Sequence, residues 1–133
     1  MDAHEAVSAY ANSKFDNAPP LKIVHLLYEG AIRFLRQAQE MDPAADPAAF
    51  TVRLNKADAV VSELRLSLEP EQSPELCDHL NGLYEFVQDQ IRESILEGSS
   101  ETLPGAISVL EKLLEGWRGI EMTAAPDAGL PRG

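Results

Sequence analysis

The chain has 133 residues, of which 11 are basic and 22 acidic, so its formal net charge is −11 at pH 7. This length suits a single domain whose hydrophobic core needs no disulfide or metal. The negative charge argues against binding to nucleic acid or to an anionic membrane, because both would repel the protein. The acidic residues are spread along the chain among basic ones, which is typical of a solvated helical surface.

Cysteine content and the N-terminal sequence both predict a cytoplasmic protein. Cys77 is the only cysteine, so no internal disulfide can form and a reducing compartment fits the chain. Residues 1–13 have neither the cationic start nor the apolar stretch of a secretory signal. No apolar run approaches the roughly 20 residues that span a bilayer. We therefore expect a soluble protein of the cytoplasm.

The first predicted helix begins at Pro19 or Pro20 and runs to about Met41. Proline is tolerated in the first helical turn, where its missing N–H would have no partner within the helix. Gly30 lies among the apolar residues of this helix, where glycine costs about 1 kcal/mol relative to alanine. Because glycine has no Cβ, we expect a neighbouring helix or a bound segment to approach closely there, and close packing by another helix in particular. The apolar residues form two adjacent rows, namely Ile23, Leu27, Phe34 and Met41, and Val24, Tyr28, Ala31, Leu35 and Ala38.

The second predicted helix begins after Asp46, with Pro47 in its first turn. Its apolar residues are spaced 4, 3, 4, 3 and 4 apart, which indicates a helix packed nearly parallel to its neighbours. They are Phe50, Leu54, Ala57, Val61, Leu64 and Leu68. A second apolar row, formed by Val52, Ala59 and Leu66, lies on the other side of the helix. This row either contacts a partner or consists of ordinary scattered surface residues.

Two further helices follow. The third begins after Ser73, with Pro74 in its first turn, and ends at Gly98. The fourth follows a cap within residues 99–102 and ends near Gly119. The core residues expected from the third helix are Leu76, Leu80, Leu83 and Val87, with Tyr84, Ile91 and Ile95 beside them. Those of the fourth are Leu103, Ile107, Leu110, Leu114 and Trp117, with a surplus row of Ala106, Val109, Leu113 and Ile120.

These helices predict an all-α fold. Four helices of about 20 residues, each about 30 Å long, joined by short connections form an antiparallel four-helix bundle. The bundle domain covers residues 19–120, and residues 1–18 form a short N-terminal arm. Residues 121–133 contain little that a core could bury, so we expect a disordered C-terminal tail.

The sequence shows no sign of catalysis. A di-iron bundle needs two Glu-x-x-His pairs facing inward, and neither His25 nor His79 has a glutamate three residues before it. There is no glycine-rich phosphate loop, and no nucleophile with a nearby base can be recognised. We therefore expect no enzyme activity, no catalytic residue, no cofactor and no metal. The missing Glu-x-x-His pairs argue against the hypothesis that the bundle is an enzyme that uses a metal or acts on a small molecule.

Four segments of the chain, in order, resemble a known family. They are Pro20-Leu21 with Leu27 to Ile32, Asn55 to Leu64 with Ser67-Leu68, Leu80 to Phe86, and Trp117. Together with Tyr10, they resemble the FliS family of flagellar secretion chaperones that bind flagellin, over about residues 10 to 118.

The resemblance implies a cytosolic chaperone that binds the C-terminal segment of flagellin. It would prevent premature polymerisation and deliver flagellin to the flagellar type III export apparatus. Whether a co-chaperone is also a partner is left open by the resemblance. The resemblance also implies that the arm lies back on the bundle until flagellin displaces it, with Tyr10 in an apolar groove. Candidate partner-binding residues are Tyr10, Pro20, Leu21, Leu27, Tyr28, Leu83 and Tyr84. The alternative is a structural or regulatory bundle that associates with itself through the same apolar rows.

Overall fold

The computed structural model describes Ala3, residues 21–68 and residues 73–129, with side chains for Ala3, 23–68 and 73–119. Within these residues the backbone forms four α-helices and no strand, so the all-α prediction is confirmed. The helices are α1 (Leu21–Gln39), α2 (Pro47–Leu66), α3 (Pro74–Glu97) and α4 (Leu103–Gly129).

The four helices form a ring around one core. Helix α1 packs on α2 and α4, and α3 packs on the same two helices. Short connections reverse the chain between successive helices, which gives the predicted antiparallel four-helix bundle. The predicted core residues of α2 and α4 are buried, except that Leu68 is half-buried. In α1 the row of Val24, Tyr28, Ala31, Leu35 and Ala38 is buried, whereas Ile23 of the other row is exposed.

Local backbone signals place the predicted helix ends. The Asp46 carboxylate accepts a hydrogen bond from the backbone N–H of Ala49 at 3.1 Å, which satisfies a donor left open at the start of α2. Helix α3 begins at Pro74, after Ser73. It ends at Gly98, whose φ of 62° is left-handed and favours glycine. The starts of α2 and α3 and the end of α3 therefore agree with the predictions.

Other predicted boundaries differ from the structure. Helix α1 ends at Gln39, two residues before the predicted end at about Met41. The N–H of Glu40 is shared between the carbonyls of Arg36 and Gln37, and the N–H of Met41 donates to the carbonyl of Ala38, so the last turn tightens. Its predicted start at Pro19 or Pro20 lies outside the described residues. Helix α4 continues past Gly119 to Gly129. Residues 121–125 are mostly good helix formers, and one glycine does not outweigh them. The disordered tail stays a prediction, and residues 130–133 are not described.

Among the described residues no other helix approaches Gly30 closely, so the expectation of close helix packing is wrong for the four described helices. Of these residues, a Cβ placed on Gly30 would meet only Nη2 of Arg33 within 4 Å, at 3.8 Å. That distance is an ordinary van der Waals contact with the end of a flexible side chain. Gly30 is nevertheless buried, and the close approach of a bound segment stays a prediction.

The surplus apolar rows of α2 and α4 have opposite surroundings. On α2, Val52, Ala59 and Leu66 are all exposed, Val52 at 47% and Leu66 at 79%. On α4, Ala106 and Leu113 are fully buried. The expectation that the surplus row of α4 is free to contact a partner is therefore wrong for Ala106 and Leu113, which belong to the core.

Candidate partner-binding site

Three aromatic side chains form a polar cluster at the centre of the bundle. The hydroxyl of Tyr28 in α1 is hydrogen-bonded to the hydroxyl of Tyr84 in α3, and Nε1 of Trp117 in α4 donates to the same Tyr28 oxygen at 3.1 Å. All three side chains are buried. Burial raises the pKa of Tyr28, because a phenolate there would lose its hydration. The cluster therefore joins three helices through neutral hydrogen bonds.

This burial bears on two of the predicted partner-binding residues. Tyr28 is 0% exposed and Tyr84 is 2% exposed. The structure brings the two side chains together, but in the core, where the closed bundle leaves no surface for a partner. Their motif is accounted for by the interior of the bundle, and direct contact with a partner would require the helices to separate.

The other predicted binding residues are dispersed. Leu27 in α1 and Leu83 in α3 are half-buried and pack against the core, each with part of its surface open. Leu21 begins α1, but its side chain is not described. Tyr10 and Pro20 lie outside the described residues. Partner binding by these residues stays a prediction.

One residue of the N-terminal arm is described. Ala3 is helical, half-buried and packed against the hydrophobic core. The arm therefore contacts the bundle at this residue, seven positions before Tyr10. This contact agrees with an arm that lies on the bundle.

Helix α2 carries a regular row of exposed apolar side chains, which the sequence predicted as a second apolar row. The row consists of Val52, Ala59 and Leu66. Consecutive members are seven residues apart, which is about two helical turns, so all three lie on one side of the helix. Ile23 and Leu26 add exposed apolar surface on the neighbouring helix α1. We refer to Val52, Ala59 and Leu66 as the α2 row.

A groove of about 610 Å³ runs between α1 and α4. Ile32 and Leu114 contribute its buried apolar residues. Two ion pairs join the helices along it, Arg36 with Glu111, and Arg118 with Glu29 at 3.0 Å. The further charged and polar lining residues are Arg33, Gln37, Glu40 and Glu115. An apolar base with a rim of mixed charge suits a segment that is itself amphipathic.

A second groove, of about 420 Å³, lies between α2 and α3 and is lined by Ser62, Arg65, Leu66 and Asn81. Nε of Arg65 donates to Oδ1 of Asn81 at 2.8 Å, and its Nη1 donates to Oε1 of Gln88 at 2.7 Å. Arg65 was not among the residues predicted from the sequence, because an arginine in a helix is usually an ordinary surface residue. Only the pairing of α2 with α3 reveals its partners.

In the described part of the chain, no group of three or more histidine, cysteine, aspartate or glutamate side chains could hold a metal ion. None of the described helices has the length and apolar character needed to cross a bilayer. The surface features of these residues that suit a partner include the α2 row and the two grooves described above.

Similarity to known proteins identifies the family. Residues 3–124 match the family model described as flagellar protein FliS. The chain belongs to the FliS family. The match covers the arm, all of α1 to α3 and most of α4. The resemblance inferred from the ordered motifs is thereby confirmed.

Members of the FliS family from three bacteria align with nearly the whole chain. The flagellar secretion chaperone FliS of Campylobacter jejuni is 28% identical over 120 residues, covering 90% of this chain and 94% of the relative. That of Vibrio cholerae is 27% identical over 117 residues, covering 88% and 85%. The flagellar secretion chaperone FliSB of Pseudomonas aeruginosa is 26% identical over 120 residues, covering 90% and 94%.

Proposed function

We propose that this chain is a cytoplasmic export chaperone for flagellin. It binds the C-terminal segment of flagellin, prevents premature polymerisation and delivers flagellin to the flagellar export apparatus. The names of its relatives as flagellar secretion chaperones support this role. The chain works by binding alone, without catalysis or a cofactor, because covering an apolar segment requires no chemical step.

The observation that carries this proposal, beyond family membership, is the exposed α2 row. Its members present apolar surface at a seven-residue spacing, which matches the repeat of an amphipathic helix laid along α2. The terminal segments of flagellin are expected to be amphipathic helices whose apolar faces are covered only in the filament. A chaperone that covers such a face beforehand keeps it from aggregating.

The test is calorimetric titration of the folded protein with a synthetic C-terminal segment of flagellin. We expect one-to-one binding with a negative heat-capacity change, the mark of apolar burial, and a gain of helix in the segment by circular dichroism. Leu66→Asp should weaken binding about 10- to 100-fold, because it removes a buried leucine contact and adds a charge.

Leu96→Asp is the matched control, since Leu96 is also exposed, at 86%, but lies outside the α2 row. Equal losses of affinity in the two variants would refute the assignment of the α2 row. No heat and no co-elution with wild-type protein would refute the chaperone function itself.

The same exposed row would serve the alternative function, a bundle that associates with itself. Sedimentation velocity over a range of concentrations separates the two possibilities. A protein that stays monomeric while it binds the flagellin segment supports the chaperone. A dimer that Leu66→Asp dissociates, with no binding to flagellin, supports self-association.

The motif residues take two parts in this proposal. Tyr10, Pro20, Leu21, Leu27 and Leu83 are proposed to contact either flagellin or the arm that flagellin displaces. Tyr28 and Tyr84 are proposed to act indirectly, by holding the helices in the arrangement that forms the binding surface. The contact of Ala3 with the core supports an arm that lies on the bundle in the free protein.

A further inference from the structure

Arg65 is a half-buried cation whose hydrogen-bond partners are neutral. Its guanidinium donates to the side-chain oxygens of Asn81 and Gln88. Among the described residues no carboxylate forms an ion pair with it. A cation partly removed from water is stabilised more by a carboxylate than by an amide oxygen, because only the carboxylate carries a full opposite charge.

Three exposed arginines of the bundle differ in this respect. Arg36, Arg92 and Arg118 each pair with an aspartate or glutamate, and all three are exposed. The chain has 22 acidic residues for 11 basic ones, so carboxylates are plentiful. Arg65 nevertheless faces two amides, which leaves its charge available to an anion from outside the bundle.

The guanidinium is held in a fixed position. The amide group of Gln88 is itself oriented, because its Nε2 donates to Oγ of Ser62 at 2.9 Å and to the backbone oxygen of Asp58 at 3.3 Å. Its oxygen is thereby directed at Arg65. The hydrogen bonds that Arg65 donates to Asn81 and Gln88, which lie two turns apart on α3, hold its guanidinium. The hydrogens on Nη2 take part in neither bond and can be donated to a ligand. An arginine already ordered in this way loses little side-chain entropy when it binds a ligand.

Three polar groups that line the groove between α2 and α3 can donate further hydrogen bonds. Besides Nη2 of Arg65, the Nδ2 group of Asn81 can donate, since its oxygen already faces Arg65. The Ser62 hydroxyl accepts from Gln88 and keeps its own hydrogen for a further bond. A carboxylate accepts several hydrogen bonds and donates none, and it matches the guanidinium in a bidentate pair. Leu66 beside the groove is 79% exposed and offers an apolar contact next to the charge.

We propose that the groove lined by Ser62, Arg65, Leu66 and Asn81 binds a carboxylate of the flagellin segment, next to an apolar side chain that covers Leu66. This inference rests on the proposed function and specifies the chemistry of its site. The groove adjoins the α2 row through Leu66, so one bound helix can make both contacts. The carboxylate comes either from an aspartate or glutamate of the segment or from its C-terminus.

The first test is Asn81→Asp, assayed by calorimetric titration with the flagellin segment. The new carboxylate keeps the hydrogen bond from Nε of Arg65 and neutralises its charge from within, so the fold is preserved. It also repels an incoming carboxylate. We expect unchanged or raised thermal stability and an affinity about 10- to 100-fold lower. If Arg65 only joins α2 to α3, Asn81→Asp will stabilise the bundle and leave the affinity unchanged, which would overturn the proposal.

Arg65→Gln should weaken binding to a similar extent, and Arg92→Gln is its matched control, since Arg92 is already paired with Asp89. Segment variants then identify the carboxylate: each aspartate or glutamate is replaced by its amide, and the C-terminus is amidated. One of these replacements should weaken the binding of the segment to the wild-type protein. The same replacement should not weaken its binding to Arg65→Gln any further, because that variant already lacks the contact. If every replacement is equally harmful to both proteins, the carboxylate contact is wrong.

The failures of the two proposals are distinguishable. A wild-type protein that does not bind the segment contradicts the proposed function. A wild-type protein that binds it, with Asn81→Asp binding equally well, contradicts only the carboxylate site. Stronger salt dependence of binding in the wild type than in Arg65→Gln would support the site, because salt screens charge pairs.

Discussion

Tyr28 is the residue at which three helices meet. Its position in an apolar row of α1 predicts burial, but not that its hydroxyl meets Tyr84 and Trp117, which are 56 and 89 positions away in the chain. Such a cluster cannot be read from local periodicity, because it depends on which turns of different helices lie at the same height. It also gives the tyrosine motifs of α1 and α3 a structural explanation.

Tyr28→Phe should lower the free energy of unfolding by about 1 to 3 kcal/mol, because it removes both bonds and leaves the buried Trp117 N–H without this acceptor. Tyr84→Phe should cost less, about 1 kcal/mol, since Trp117 can still donate to Tyr28. Urea denaturation with a common m-value measures both. A larger cost for Tyr84→Phe than for Tyr28→Phe would contradict a network centred on Tyr28.

At the scale of the helices, the sequence predicted what local chemistry determines. Asp46 with Pro47, Ser73 with Pro74, and Gly98 mark helix ends through their own backbone preferences, so no knowledge of the fold was needed. The spacing of apolar residues likewise predicted the buried face of α2. The expectations that failed, close helix packing at Gly30 and a surplus row on α4 that is free to contact a partner, depend on the neighbouring helices, which periodicity alone does not reveal.

Three glycines test this distinction. Gly30→Ala and Gly82→Ala should each stabilise the protein by up to about 1 kcal/mol, because both lie within helices and an added Cβ meets no close obstacle. Gly98→Ala should destabilise it by about 1 kcal/mol, because its left-handed backbone disfavours a side chain. Chemical denaturation of the three variants gives the comparison. A clear loss of stability in Gly30→Ala would show that another helix does approach this position.

At the scale of the whole molecule, the binding surface was harder to predict than the bundle. The α2 row was predicted as a candidate because its spacing is local to one helix. The Arg65 groove was not, because its two amide partners, Asn81 and Gln88, are visible only when α2 and α3 are placed side by side. Sequence patterns considered one helix at a time therefore do not predict a surface that forms between two helices.

Alkaline pH tests how far the central tyrosine controls the stability of the whole bundle. Burial raises the pKa of Tyr28 above the value of about 10 that it has when unfolded. Below pH 10 the phenol is protonated in both states, so the contribution of Tyr28 to stability is fully present. As the pH rises past about 10, the unfolded chain releases this proton while the folded chain retains it. The free energy of unfolding then falls by up to about 1.4 kcal/mol per pH unit.

Tyr28→Phe lacks this proton, whereas the other titrating groups of the chain are present in both proteins. Urea denaturation at pH 8 and pH 11 should therefore show that the wild type loses about 1 kcal/mol more stability than Tyr28→Phe over this interval. The difference between the two losses reports on Tyr28 and the Tyr84 hydroxyl bonded to it, because contributions of groups outside this network cancel to first order. Equal losses would mean that the phenolate is tolerated in the centre of the bundle, and that water reaches the three-helix cluster when Tyr28 ionises.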